Sequence, residues 1–247
     1  WTLRTTGLGF DIATRLVATD GDHVRAVFAG GPTIAGTGPS AEHTEEAYTE
    51  FATDCAALPA CAVHGDLSAH LDAALARAGT GITTATVSPS TGLPLVLDAN
   101  AIANGVEIAL ASPDLLPILP SLAEGLADGS AIETVAGFYA TRDFGNDVVD
   151  DVLHCQPYAY VKPPMTEWGD TAAGRFGVEE ERGLCAALGD VPEIAPPATV
   201  DSDVPVLAVF GAYDPRTTSS GVTQALQGFH AATIVKTPRV AFPRTEL

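Results

Sequence analysis

Basic residues are scarce in this sequence: 12 Lys and Arg side chains stand against 31 Asp and Glu side chains, for a formal net charge of −19. A chain with this charge repels phosphate backbones and anionic lipid, so nucleic acid and membranes are poor partners. We interpret the acidic excess as a solvated surface rather than a cation site. No apolar run reaches the roughly 20 residues of a membrane-spanning helix. The 247 residues, 46% of them hydrophobic, suffice for one core or for a domain with an inserted cap.

Cysteine is also rare, with four residues that fall as two pairs in sequence, Cys55 with Cys61 and Cys155 with Cys185. An even count at such spacing predicts two disulfides and an oxidising compartment, outside the cell or in its envelope. Three pairings exist, and we favour the local one because Pro59 turns the chain back between Cys55 and Cys61. A zinc site on all four cysteines is disfavoured because the short C-x2-C knuckles are missing.

The order of apolar patterns predicts an α/β protein with a helical insertion. A helical period over residues 9–20 and an apolar strand over 24–29 come first. Residues 204–210 form a second strand, followed by a helix over 219–229 and a strand over 232–235. Between these parts the chain is Ala-rich and helical, with a Gly, Thr and Ser loop or hairpin near 79–97. We expect an α/β core from residues 1–40 and 196–247, and a helical cap from 41–195.

Asp214 is the best candidate for a catalytic carboxylate. It lies in the turn Gly211–Pro215, directly after the strong apolar run that ends at Phe210. Active sites of parallel sheets assemble at this carboxyl edge. The alternative is an aspartate that only caps a turn before proline.

Two blocks of the sequence resemble the secreted tripeptidyl-aminopeptidase-like, proline iminopeptidase-related group of α/β-hydrolases. They are Gly21–Pro32 and the acid-bearing strand with its turn, Pro205–Thr217. The resemblance implies the C-terminal part of an α/β-hydrolase core, with the cap carrying the paired cysteines of the secreted members. In that group the aspartate at the Asp214 position orients the histidine of a catalytic triad.

The resemblance also locates the expected nucleophile. It aligns the Gly-x-Ser-x-Gly elbow of the family with Thr5–Gly9, so that Gly7 stands where the serine is expected. Glycine has no nucleophile, and the hydroxyl of Thr6 lies one position too early on a β-branched residue. Gly9 would supply the small residue that lets strand and helix meet closely. Thr6 is therefore expected to be structural.

The expected histidine is missing as well. The family places it after the strand that follows the aspartate, where this chain has Ile234–Phe242. Each histidine of the chain has an ordinary structural interpretation on a turn, a helix end or the cap; they are His23, His43, His64, His70, His154 and His230.

Two functions follow from these observations. The first is a hydrolase of peptide, amide or ester bonds with a displaced nucleophile and base. The second is a secreted pseudoenzyme that binds a peptide or a small ester or amide in its cap cleft, with aromatic residues such as Tyr158, Tyr160 and Trp168. No cofactor or metal is expected for either. Because the first strands of the family's sheet have no counterpart here, we expect an N-terminal chain or segment to complete the sheet. Any signal peptide is expected to have been removed or never to have been part of this polypeptide.

Overall fold

The computed structural model describes residues 1–33, 41–79, 81–89, 91–141 and 198–240. The described helices alternate with strands at both ends of the chain and follow one another in the middle. The helices are α1 (Gly9–Asp20), α2 (Ala41–Ala57), α3 (Pro59–Ala62), α4 (Leu67–Ala78), α5 (Ala99–Ala111), α6 (Leu119–Asp128), α7 (Ile132–Thr141) and α8 (Ser219–Ala225). The strands are β1 (Thr2–Gly7), β2 (Ala26–Pro32), β3 (Ile82–Val87), β4 (Pro94–Leu97), β5 (Val206–Gly211) and β6 (Ala232–Thr237).

Four strands form a parallel sheet in the order β1-β2-β5-β6. The two central strands are far apart in sequence, because the whole helical region lies between β2 and β5. The α/β class with a helical insertion is thereby confirmed. All four strands end at the same edge of the sheet, so the loops that follow β1 and β5 lie at one edge.

The sheet and the helical region each have a hydrophobic cluster. The sheet cluster joins the helix faces of α1 and α8 to the buried strands, with Phe10, Phe210 and Phe229 among its members. The helical cluster is built by α2, α4, α5, α6 and α7, and it includes two residues of the loop after β5, Ala212 and Tyr213. The boundaries 1–40, 41–195 and 196–247 stay a prediction, since most residues around them lie outside the described ranges.

The helical region contains a hairpin where the sequence analysis expected a loop or hairpin, near residues 79–97. Its strands β3 and β4 pair antiparallel. Its β3 edge is held by Glu133 of α7, whose carboxylate accepts hydrogen bonds from the Ala85 N–H at 2.7 Å and the Thr86 N–H at 3.2 Å. None of the described helices is long and apolar enough to cross a bilayer.

A disulfide joins Cys55, at the end of α2, to Cys61 in α3, with 5.0 Å between the two Cα atoms. This confirms the local pairing for the first two cysteines. Pro59 stands at the start of α3, where its fixed φ and missing N–H are tolerated. The predicted bond between Cys155 and Cys185 lies outside the described residues, as do His154, Tyr158, Tyr160 and Trp168.

Candidate functional site

The turn between β1 and α1 has the backbone of a nucleophile elbow without its side chain. β1 ends at Gly7, which has φ +51°, and α1 begins two residues later at Gly9. A strained left-handed residue between a strand and a helix is the geometry that exposes a nucleophile above a parallel sheet. Here glycine adopts that conformation without the cost that a Cβ would add.

Space for a side chain is present at Gly7. A Cβ built there would have the Thr33 Oγ1 as its nearest neighbour, 3.9 Å away. Thr33 follows β2 and is buried, and its N–H donates to the Gly7 carbonyl at 3.3 Å. Thr33 could not be found from the sequence, because its proximity to Gly7 arises from the pairing of β1 with β2.

Two other residues of the elbow bear on how β1 and α1 meet. Thr6 is an exposed residue of β1 with its Cα opposite that of Gly30 in β2, as expected for a strand-end residue. At Gly9 an added Cβ would lie 3.7 Å from the Thr5 Cβ, an ordinary van der Waals contact, so alanine fits there. The need for a small residue at position 9 stays a prediction for larger side chains.

Asp214 lies at the same edge of the sheet, three residues after the end of β5. Its side chain is 3% exposed, and its Oδ1 accepts a hydrogen bond from the Arg216 N–H at 3.0 Å. Its Oδ2 is buried and has no hydrogen-bond partner among the described residues. Within that part of the chain, this oxygen of the Asp214 carboxylate is an acceptor without a donor.

Burial controls the electrostatics of Asp214. It raises the pKa of the carboxyl to about 6 from 3.8, against the lowering effect of the hydrogen bonds from Arg216 and Thr217. The negative charge of Glu107, on α5, adds a smaller upward contribution. Residues of α5 also share a hydrophobic cluster with Ala212 and Tyr213, which precede Asp214 in this loop.

No hydrogen bond joins a histidine to Asp214 within the part of the chain that the structure describes. Four histidines bind elsewhere: His23 to Asp20, His230 to Asp201, His64 to Glu124, and His70 to the His64 carbonyl. The sequence analysis assigned the fifth, His43, to a cap helix, and it lies in α2. Its ring nevertheless lies against α8, with Cε1 3.5 Å from a Cβ built on Gly221.

Two side-chain contacts attach α2 to the sheet beside Asp214. The Tyr213 hydroxyl donates to the Asp54 Oδ2 at 2.6 Å, and the Lys236 ammonium on β6 donates to the Glu50 carboxylate at 2.5 Å. Burial, followed by the hydrogen bond to Asp54, raises the pKa of Tyr213. The ring of Phe51 also meets Tyr213 edge to face. These contacts hold the start of the helical region over the candidate site.

A metal site is not part of this arrangement. The described ranges contain no group of three or more His, Cys, Asp or Glu side chains that could hold a metal ion. The chemistry available at the edge is one buried carboxylate, the Thr33 hydroxyl and the backbone of the elbow.

Comparison with known proteins gives a distant structural likeness. The sequence matches no protein family profile and no curated protein. The structure is similar to that of MGS-M2, an α/β hydrolase enzyme from a Medee basin deep-sea metagenome library, with a TM-score of 0.34 and 10% identity. The match covers 96% of this chain, which spans 56% of the length of that protein. A likeness of this size does not by itself assign an activity.

Proposed function

We propose that this chain has an α/β-hydrolase core that binds a peptide or a small amide or ester without turning it over. The observation that carries the proposal is Gly7: the elbow conformation is kept, at φ +51°, and no nucleophile stands on it. The order of β1, β2, β5 and β6, with the elbow after β1 and Asp214 after β5, agrees with the strands expected from the family resemblance. The relation to the tripeptidyl-aminopeptidase-like group rests on the two sequence blocks alone.

The buried Oδ2 of Asp214 supports a ligand that donates hydrogen bonds. A buried acceptor without a donor destabilises a fold by about 1–3 kcal/mol, and an amide N–H or an ammonium group would supply the missing donor. Peptides and amides carry such groups, whereas esters offer only acceptors. Peptides are therefore the preferred ligand class. The disulfide between Cys55 and Cys61 supports a secreted or cell-envelope location.

Two measurements on the same sample test this function. The protein is incubated with a mixture of synthetic peptides, bound peptides are recovered by gel filtration, and mass spectrometry determines whether they are intact. A fluorophosphonate probe then reports any activated serine or other hydroxyl. We expect intact bound peptides and no labelling, with Asp214→Asn changing binding but not background hydrolysis. Cleaved peptides or labelling of Thr6, Ser88 or another hydroxyl would overturn the proposal.

One observation favours the second candidate, a hydrolase with a displaced base. His43 lies against α8, whose N-cap Thr218 is four residues after Asp214. If His43 acts as a base, His43→Ala removes turnover, whereas His23→Ala, a change on the exposed turn before β2, leaves it intact. In the binding protein neither substitution affects hydrolysis, because there is no turnover above background. The pair of variants separates the two functions.

We also propose that β1 pairs with a further parallel strand from an N-terminal chain or segment. Within the described sheet β1 is an edge strand, and parallel sheets are normally covered on both faces and paired in their interior. Two apolar side chains in this part of the chain are exposed: Trp1, directly before β1, by 81% and Ile12, on the outer face of α1, by 71%. Leu16, one turn after Ile12, extends the same apolar face.

Sedimentation of the purified chain tests this pairing. Without the additional strand we expect self-association through the β1 edge, and Ile12→Glu together with Leu16→Glu should reduce it. The matched change Val63→Glu, at an exposed apolar residue after α3 and away from the sheet, should have no such effect. A stable monomer that melts cooperatively would contradict the missing strand.

A further inference from the structure

We propose that the helical region contains a second binding site, for a small uncharged apolar molecule such as an aromatic ring or a short alkyl chain. The site is a cavity of about 40 Å³ between α5, α6 and α7, open to solvent on one side. Main contributors to its wall are Ile102, Val106, Leu119, Leu122, Leu126 and Phe138. This site is independent of the proposed function, because it involves neither Gly7 nor Asp214.

The chemistry of the wall selects the class of ligand. None of the described lining residues is charged, although the chain as a whole has a net charge of −19. The single hydroxyl in the wall, that of Tyr139, already donates to the Ala101 carbonyl. An ion or a strongly polar ligand would lose its hydration here and find little to replace it, whereas dry apolar cavities bind molecules such as benzene.

The wall is also fixed in shape. A Cβ built on Gly105 would lie 3.3 Å from the Tyr139 hydroxyl oxygen, so the ring packs tightly against the backbone of α5. The same hydroxyl donates to the Ala101 carbonyl, also on α5. Phe138 and Leu122 are half-buried in the wall, and they leave apolar surface at the opening. A ligand would bury this surface without requiring the helices to separate.

Helix α5 contributes to the cavity and to the electrostatics of Asp214. Ile102, Val106 and Ala109 line the cavity, whereas the negative charge of Glu107 raises the pKa of Asp214 slightly. The cavity wall is apolar, and the other site is acidic. A ligand of the apolar site should therefore be uncharged and should not compete with a ligand of the Asp214 site.

The test is a fluorescence titration with the neutral probe N-phenyl-1-naphthylamine, with indole as the competitor. We expect saturable binding of one probe per chain, displaced by indole. Ile108→Trp fills the cavity, and Leu122→Asn places an amide in its wall, so each should weaken binding by at least about tenfold. Leu122→Ala widens the cavity and should keep the affinity within about threefold of the parent. Folding of each variant is verified by circular dichroism.

Matched controls locate the probe. Val63→Trp introduces the same ring as Ile108→Trp at an exposed position after α3, and Asp214→Asn alters the other site. Both should bind the probe as the parent does. Three outcomes would each overturn the proposal: non-saturable binding, an affinity in Ile108→Trp and Leu122→Asn equal to that of the parent, or loss of binding in Asp214→Asn. Absence of peptide binding would contradict the proposed function and leave this site standing.

Discussion

The loops after β1 and after β5 lie at the same edge of one sheet, and they have opposite energetics. At Gly7 the conformation that would strain a side chain is occupied by the residue that tolerates it best. At Asp214 a carboxylate is buried with one oxygen unpartnered, which raises its pKa and destabilises the charged form. One loop is therefore relaxed where a catalytic group is expected, while the other keeps a carboxylate at a cost to stability.

The largest expected effect concerns the pH dependence at Asp214. Its folded pKa, about 6, is above its ordinary value of 3.8, so the folded state binds the proton more tightly than the unfolded state. The free energy of unfolding should therefore fall by roughly 2–3 kcal/mol as the pH rises from about 4 to about 6, and stay level above this window. Asp214→Asn should remove this loss, as measured by urea unfolding from about pH 4 to about pH 7.

The exposed Asp22, in the turn before β2, offers a matched control for this experiment. Asp22→Asn should retain the full pH dependence of the parent, because its carboxylate is solvated in the folded and unfolded states. If the Asp214→Asn variant loses as much stability as the parent over the window, the carboxylate is better solvated than its burial indicates.

A smaller effect is expected at Gly7. Gly7→Ala places a Cβ on a residue with φ +51° and should lower the free energy of unfolding by about 1–2 kcal/mol. Gly9→Ala is the matched control, because it lies in α1 with an ordinary 3.7 Å contact and should be neutral or stabilising. Equal effects of the two substitutions would show that the elbow is not held in the left-handed conformation.

The smallest effect concerns the attachment of the helical region beside Asp214. Tyr213→Phe removes the hydrogen bond to Asp54 and should lower the free energy of unfolding by about 1 kcal/mol. A double-mutant cycle with Asp54→Asn measures the coupling of the pair. A coupling energy near zero would indicate that Phe51 and the surrounding packing, rather than this bond, hold α2 on the sheet.

Local sequence predicted most of the elements because their patterns repeat over short distances. Helix α1 has the expected bounds, and the strand expected at 232–235 continues slightly further, to Thr237. The strand expected at 24–29 is different: β2 continues through Gly30, Gly31 and Pro32. Glycine and proline normally end strands, but Gly30 pairs with Thr6 on one side and Val209 on the other, so the central position of β2 overrides that tendency.

The candidate site likewise divides into features that the local sequence determines and features that only the tertiary structure decides. The sequence by itself determined which residues are present: a glycine at position 7, an aspartate after a buried strand, and a local pair of cysteines. Only the tertiary structure decided that Thr33 lies beside Gly7, that His43 contacts α8, and that Glu107 acts on Asp214. These proximities join residues from distant parts of the chain. They depend on strand order and helix packing, which local patterns of hydrophobicity do not specify.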